Sequence, residues 1–425
     1  MREYPHVGDI ISLDDETKAT KWLNWMERTL AKRRELLTQS HVANVEQYNL
    51  LSGDKLPTLM ILVDSLDGLT ESKLKDHVDY IITKVAREGV ALGIQLVITA
   101  SRWYSIKLQI QSSIKTKVAL YLFDQSEVTS SIGRSDLKLP AVPGRGLINL
   151  GTIAEFQVVT PFETDDFATH SRLMREEGSS MTQLWQGALP YAIPMLPDHI
   201  TPEYLNQQNM KPNQDLILGV NHETGEAVRL SIQKAMMLIS DNPLIVENYI
   251  VALDYNLTEY YSNYSVVILD GIGIVNEQLF TEARHIKGQI AVNNAVSGIV
   301  EDLKERIANP DKKHKSWFIL FTDVVTLVNQ GALSESDMRL ILQSGPHLGV
   351  TPIFVGMDKN IVTSTSNQVK LLKQLVEQTI VGMRRNDQSL VRLPQYISME
   401  PDLKNNQSFM LRGQEFELIQ ILERR

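Results

Sequence analysis

The residues best placed to do chemistry are aspartates that close apolar runs. LMILV at 59–63 ends in Asp64, and WFILFT at 317–322 ends in Asp323. A carboxylate leaving the carboxyl end of a parallel strand stands where ligands bind in open α/β sheets. There it can hold a nucleotide's Mg²⁺ through water. The same pattern arises when an aspartate starts a turn or caps a helix. Asp64 is followed by Ser65 and Asp323 by Val324, and neither can take a proton from water near neutral pH as a carboxylate can.

Phosphate binding needs more than a carboxylate. Backbone N–H groups approach phosphate oxygens only along a glycine-rich loop, with a helix N-terminus and a lysine adding positive charge. No G-x-x-x-x-G-K-[ST] string occurs in the 425 residues. The stretch MMLISDNPLIVENYI at 236–250 has the order of strand, loop and helix, with Ser240 closing the strand. Where glycine, lysine and Ser/Thr belong, it carries Ile245, Val246 and Glu247. Branched side chains resist positive φ, and a glutamate repels phosphate. Other chemistries find less support. The nine histidines show no H-E-x-x-H spacing, no G-x-S-x-G elbow is present, and GIGIV at 271–275 has only the first two glycines of a dinucleotide fingerprint. The absence of cysteine excludes disulfides and thiolate metal sites.

These residues need elements to position them. DDETKATKWLNWMERTLAKRRELL at 14–37 spaces Trp22, Met26, Leu30 and Arg33 as one helix face behind an aspartate cap. Apolar strands at 57–65, 93–101 and 117–123 alternate with a helix at 71–89. A second series has strands at 316–324 and 349–357, an apolar strand closing 253–271, and a helix at 293–309. Strands rich in Ile, Leu and Val without polar alternation indicate a parallel sheet buried on both faces. Asp64 precedes Gly93 by 29 residues and Asp323 precedes Gly349 by 26, which suggests a duplicated α/β domain. Five of the 16 prolines fall between Pro190 and Pro212, as expected of an extended connector.

The length of 425 residues is that of roughly two or three folded domains, at about 150 residues per domain. The chain is 43% apolar and 22% charged. Its apolar runs fall short of the roughly 20 residues that span a bilayer, and MREYPHVGDI lacks the pattern of a secretory signal. A net charge of −9 argues against strong nucleic-acid binding. The basic clusters at Lys32–Arg34, Lys312–Lys315 and Arg384–Arg385 are expected to be solvated faces.

In order and spacing, YPHVGDIISLDDETKATKWLNWMERTLAKRRELL, PTLMILVDSLDGL, VAREGVALGIQLVITASRW and the later PGRGLI resemble the FtsK/SpoIIIE family of hexameric motor ATPases. The resemblance is strongest to the tandem modules of Gram-positive type VII secretion ATPases. It implies two tandem P-loop NTPase (RecA-like) domains with mainly parallel sheets: a first domain over 1–185 that lacks its phosphate loop, a linker at 186–212, and a degenerate domain over 213–425. It makes Asp64 the Walker B aspartate and a Mg²⁺ ligand only if the missing loop is supplied, with Ser65 where active motors carry a glutamate. Arg102 matches the arginine after the sensor strand, and Gly144-Arg145-Gly146 the closing loop. A salt bridge and a tight turn are the plain alternatives. Asp323 matches a degenerate Walker B position. ATP and Mg²⁺ are then expected in a complete first module and neither in this chain alone, and an exposed apolar face is expected where the loop-bearing strand and helix are missing.

The implied role is protein export by substrate recognition, gating and ring assembly at the cytoplasmic face of the membrane. The implied partners are upstream ATPase modules of the same polypeptide, secreted helical-hairpin (WXG-type) substrates, secretion-complex membrane proteins and further copies in a homo-hexamer. A DNA translocase and a module that only regulates a partner ATPase stand as alternatives.

Overall fold

Helix Glu16–Gln39 starts where Asp15 accepts the Lys18 N–H at 3.0 Å. Its buried Leu23, Met26, Leu30 and Leu37 face Val78, Ile81, Ile82 and Val85 of helix Lys75–Glu88 across one core. In this computed structural model the described residues are 3–71, 73–261, 263–271, 273–276, 278–322, 324–329, 331, 333–388, 390, 403–413 and 415–423. The chain divides into two units, Met1–Ile193 and Pro194–Arg425.

In the first unit, β1 (Leu59–Val63) and β2 (Ile94–Ile98) pair in parallel, Leu62 opposite Val97. Ile61 and Ile94 pack under the two helices. The other face is open: Met60, Leu62 and Val97 are 61%, 62% and 46% exposed. Separately, β3 (Lys117–Leu120), β4 (Arg145–Asn149) and β5 (Ile153–Gln157) form a three-stranded sheet. The alternation of elements places 117–123 in a parallel sheet, but β3 runs antiparallel to β4. Its neighbours β4 and β5 return as a hairpin through the short turn at Gly151 (φ +102°), and such a ribbon pairs antiparallel.

The second unit carries β6 (Asp215–Asn221), β7 (Ala227–Ser231), β8 (Met236–Ser240), β9 (Ser265–Asp270), β10 (Arg284–Lys287), β11 (Trp317–Phe321), β12 (Val350–Met357), β13 (Gln378–Gly382), β14 (Gln407–Arg412) and β15 (Glu415–Ile421). They form one sheet in the order β10-β9-β11-β12-β8-β13-β14-β15-β6-β7. The run from β10 to β13 is parallel and the rest antiparallel. Side-chain alternation feeds two cores. Phe318, Leu320 and Ile353 meet helix Pro243–Tyr260, while Ile319, Phe321 and Phe354 lie in the core of helix Gln289–Ala308. Burial on both faces explains why these strands are nearly uniformly apolar.

Residues 194–212, part of the proline-rich stretch expected to be an extended connector, belong to the second unit. Ile200 is fully buried and bridges to Leu422, and Gln420 Nε2 donates to the carbonyls of Pro197 and Asp198 at 2.8 and 2.7 Å. Backbone groups freed by the prolines thus find side-chain partners.

The two units share a joint that goes beyond spacing. Arg33 is buried, not solvated as its basic cluster suggests, and donates to the carbonyls of Leu92 at 2.7 Å and Pro57 at 2.8 Å. Arg306 likewise donates to those of Leu348 and Lys315, each at 2.8 Å. Each arginine rises from a long helix and ties the residue two before a strand to the residue before a positive-φ glycine, Gly93 (+66°) or Gly349 (+76°). That glycine's carbonyl accepts the first N–H of the partner strand: Leu59 at 2.9 Å in one unit, Trp317 at 2.8 Å in the other. β1 and β2 therefore correspond residue by residue to β11 and β12.

Candidate functional site

At the strand ends of the first unit, Asp64 and Ser65 converge on Thr99. The Thr99 hydroxyl donates to the Asp64 carboxylate at 2.6 Å and accepts the Ser65 N–H at 2.8 Å. Ser65 holds a left-handed φ of 56°, uncommon for a residue with a side chain. Beside it, Asp67 accepts the Ser101 backbone and hydroxyl protons. The Ser101 hydroxyl first, and the Arg102 charge among lesser causes, hold the Asp67 carboxyl below its ordinary range. Asp64, Ser65 and Arg102 thus lie along the ends of β1 and β2, with Thr99, Asp67 and Ser101 as members the sequence reading passed over. The signal for Thr99 and Ser101 was the string TAS directly before Arg102, and that for Asp67 its place three residues after Asp64.

Gly144-Arg145-Gly146 does different work. Gly144 turns with φ +74° and Arg145 pairs with Glu155 at 3.0 Å. A side chain at Gly146 would strike the Phe156 ring at 2.5 Å. The three residues form a tight turn that feeds a hairpin.

The Asp64 cluster has the donor chemistry for a hydrated divalent cation, but the described residues of the first unit include no loop of N–H groups to hold triphosphate beside it.

In the second unit the strand runs almost directly into the helix. β8 ends at Ser240, Asn242 caps, and helix Pro243–Tyr260 begins at once with proline in its first turn. Ile245, Val246 and Glu247 are therefore helical residues and not part of a loop. Ile245 and Val246 are buried and Glu247 faces solvent. Ser240 is fully buried, its hydroxyl donating to the Gly382 carbonyl at 2.6 Å and accepting the Asn242 N–H at 3.0 Å. Tyr249, buried behind it, shares a hydrogen bond of 2.8 Å with Ser408. These polar atoms satisfy one another, and no loop stands between the strand and the helix. Asp323 lies outside the described residues.

Asp270, at the end of β9, is a strand-end aspartate the sequence reading did not single out. It is buried and accepts N–H groups from Gly273, Ile274 and Val275 at 2.9, 3.1 and 3.0 Å, plus the Thr322 hydroxyl at 2.8 Å. Its lone pairs are committed to holding the following loop. Around this closed cleft the strand ends present apolar side chains: Leu244 after β8, Ile274 after β9 and Ile290 after β10 are 52%, 38% and 79% exposed. At about 4.8 Å per strand, four spacings from β8 to β10 span roughly 19 Å, a width that matches a few turns of helix.

Residues 1–146 match the FtsK/SpoIIIE family model. The type VII secretion system protein EssC of Staphylococcus aureus (strain NCTC 8325 / PS 47) is 26% identical over 423 residues, covering 99% of this chain and 28% of that protein. The ESX secretion system protein EccC of Geobacillus thermodenitrificans (strain NG80-2) is 24% identical over 99% of this chain and 29% of its own length. The chain thus spans under a third of the curated relatives it matches. Among solved structures, EssC (ATPases 2 and 3) from Geobacillus thermodenitrificans superposes with a TM-score of 0.74 at 22% identity, covering all of this chain and 82% of that one. Thermomonospora curvata EccC (ATPases 2 and 3), in complex with a signal sequence peptide, gives 0.53 at 16% identity, over all of this chain and 80% of its own. The fold is that of two tandem P-loop NTPase domains. No helix among the described residues is long and apolar enough to cross a membrane.

Proposed function

We propose, from the match of residues 1–146 to the FtsK/SpoIIIE family model, that the chain is an ATPase-module region of a type VII secretion motor, a partial module over 1–185 and a degenerate one over 213–425. The second module recognises export substrates and does not hydrolyse ATP. One observation carries this: the strand-to-helix joint at Ser240–Pro243 has no room for a phosphate loop, while the rim around it exposes Leu244, Ile274 and Ile290. An apolar rim at the strand ends suits an amphipathic helix laid across a groove, and the similar EccC structure is one in complex with a signal sequence peptide. Hydrolysis then belongs to other modules of a larger assembly, a homo-hexamer held at the cytoplasmic face of the membrane by secretion-complex membrane proteins. The Asp64 cluster would hold Mg²⁺ of ATP once a phosphate loop is supplied.

The test is calorimetric titration of the chain with Mg-ATP and, separately, with the terminal helical peptide of a secreted WXG-type hairpin. Peptide binding weakened about tenfold, or 1.4 kcal/mol, by Ile290→Asp or Leu244→Asp, with no ATP heat from the second unit, supports the reading. Salt-dependent binding of duplex DNA in place of peptide would move the chain to the translocase class.

A further inference from the structure

A charged hollow lies in the first unit away from the Asp64 cluster. A cavity of about 530 Å³ opens where three pieces of chain meet: residues 115–117 at the start of β3, 131–133 at the end of helix Gln125–Ile132, and 149–151 in the turn between β4 and β5. None of its lining residues belongs to the cluster past the ends of β1 and β2. No carboxylate is among them either. Two cations are. Lys115 is exposed, and half-buried Lys117 holds its ammonium 4.9 Å from the centre of the Trp103 ring. Arg134, next in the chain after the lining Gly133, adds a third, exposed cation. Among the described residues none of the three is in an ion pair. In a chain of net charge −9 this is a local exception, and a cleft walled by one sign of charge concentrates ligands of the other.

Lysines beside a helix C-terminus ordinarily serve its last carbonyls. Here those carbonyls already have donors. The Thr129 carbonyl accepts the Gly133 N–H at 2.9 Å, that of Val128 the Ser131 hydroxyl at 2.9 Å, and that of Ile132 the Asn149 side-chain amide at 2.7 Å. The same Asn149 side chain accepts the Gly151 N–H at 3.0 Å, so it ties the helix end to the strand turn. Gly133 and Gly151 both hold φ at +102°, and a side chain at Gly151 would meet nothing within 4 Å. The wall is therefore fixed by its own hydrogen bonds and stays open, and the ammonium groups are left for something outside the chain.

We propose that this cavity binds a phosphate-bearing ligand of about nucleotide size, its phosphate held by the ammonium groups of Lys115 and Lys117 and its body lying against exposed Leu150. The volume falls within the range of about 300–1,000 Å³ usual for small-molecule sites, and is more than phosphate alone needs. Ammonium groups meet phosphate as point charges, whereas the planar fork that matches a carboxylate in two bonds is an arginine's, and no arginine is among the lining residues. The inference uses no residue of the second unit and none that would hold Mg²⁺, so it is independent of the substrate-recognition reading.

The test is calorimetric titration of the full chain with sodium pyrophosphate in EDTA, which keeps Mg²⁺ from Asp64. Three variants are compared: Lys115→Gln/Lys117→Gln, Lys115→Gln alone, and Lys312→Gln/Lys313→Gln, which removes the same charge from the second unit. The expected result is binding to one site, weakened about tenfold or more in Lys115→Gln/Lys117→Gln and unchanged in Lys312→Gln/Lys313→Gln. Lys115→Gln, a change on an exposed side chain, should show part of the loss with an unaltered melting temperature. Sedimentation with phosphatidic acid vesicles, against phosphatidylcholine vesicles, identifies the source of the phosphate. Capture that pyrophosphate competes away assigns a lipid headgroup, and pyrophosphate binding without capture assigns a soluble ligand. Absence of pyrophosphate binding overturns the proposal, as does an equal loss in both double variants, which would reduce the effect to net charge. An oligoglutamate peptide that binds as tightly as pyrophosphate and is lost in the same variant would overturn it too, in favour of an acidic polypeptide.

Discussion

Replacing Gly382 by alanine tests whether the joint between β8 and the following helix is truly closed. Gly382 ends β13, and its φ is not positive, so alanine meets no backbone strain. In a strand with space around it, the change stabilises by about 0.5–1 kcal/mol. Here the new methyl carbon would stand 2.5 Å from Ile245 Cγ2, 2.7 Å from Ser240 Oγ and 2.8 Å from Tyr249 Oη. All three neighbours are buried, and Ser240 is held by its bond to the Gly382 carbonyl. Overpacking of this sort costs about 1–3 kcal/mol. For a unit of this size that lowers the melting temperature by roughly 2–12 °C. Urea and thermal unfolding of Gly382→Ala measure it, and a double-mutant cycle with Ile245→Ala should return a coupling of about 0.5–3 kcal/mol. A neutral or stabilising Gly382→Ala with no coupling would mean the cleft has room, and the argument that phosphate is sterically excluded would fail.

Arg33→Met and Arg306→Met should each destabilise their own unit by roughly 2–4 kcal/mol, because buried carbonyls lose their donors; chemical denaturation followed by tryptophan fluorescence reads this, and a loss under 1 kcal/mol would reduce both to packing residues. Lys21, buried in the first unit, has its ammonium pushed down to about 8 by burial, with Asp15 opposing. The unfolded lysine titrates near 10.4, so between those values the unfolded chain binds more protons and stability rises with pH. The protein should therefore gain on its Lys21→Met variant as pH goes from about 8 to about 10.4, by up to roughly 3 kcal/mol, and a difference flat with pH would show that Lys21 stays charged when folded.

What the sequence disclosed follows from which forces act locally. Strands such as LMILV and WFILF announce themselves because both faces seek burial, and Asp64 was recognisable because it interrupts such a run. An open apolar face was expected in the first domain, although Met60, Leu62 and Val97 were identifiable only once register was known. The Arg33 clamp was hidden: among Lys32 and Arg34 it reads as surface charge, and only the carbonyls of Pro57 and Leu92, distant in sequence, explain its burial. Asp270 was missed for a similar reason, since its partners are backbone N–H groups of a loop whose path no spacing rule specifies. The antiparallel β13-β14-β15-β6-β7 half of the second sheet also escaped the alternation rule, because hairpin returns follow turn geometry and not helix–strand order.

The abrupt joint after Ser240 has a further consequence for engineering or descent. Exchanging Ile245, Val246 and Glu247 for glycine, lysine and serine would only place those residues on the side of an existing helix, two of them pointing into the core. A phosphate loop could not be built here letter by letter. The chain would first have to grow longer between Ser240 and Pro243, and the gap presently occupied by Ser240, Ile245 and Tyr249 would have to be vacated before any added residues could wrap an anion.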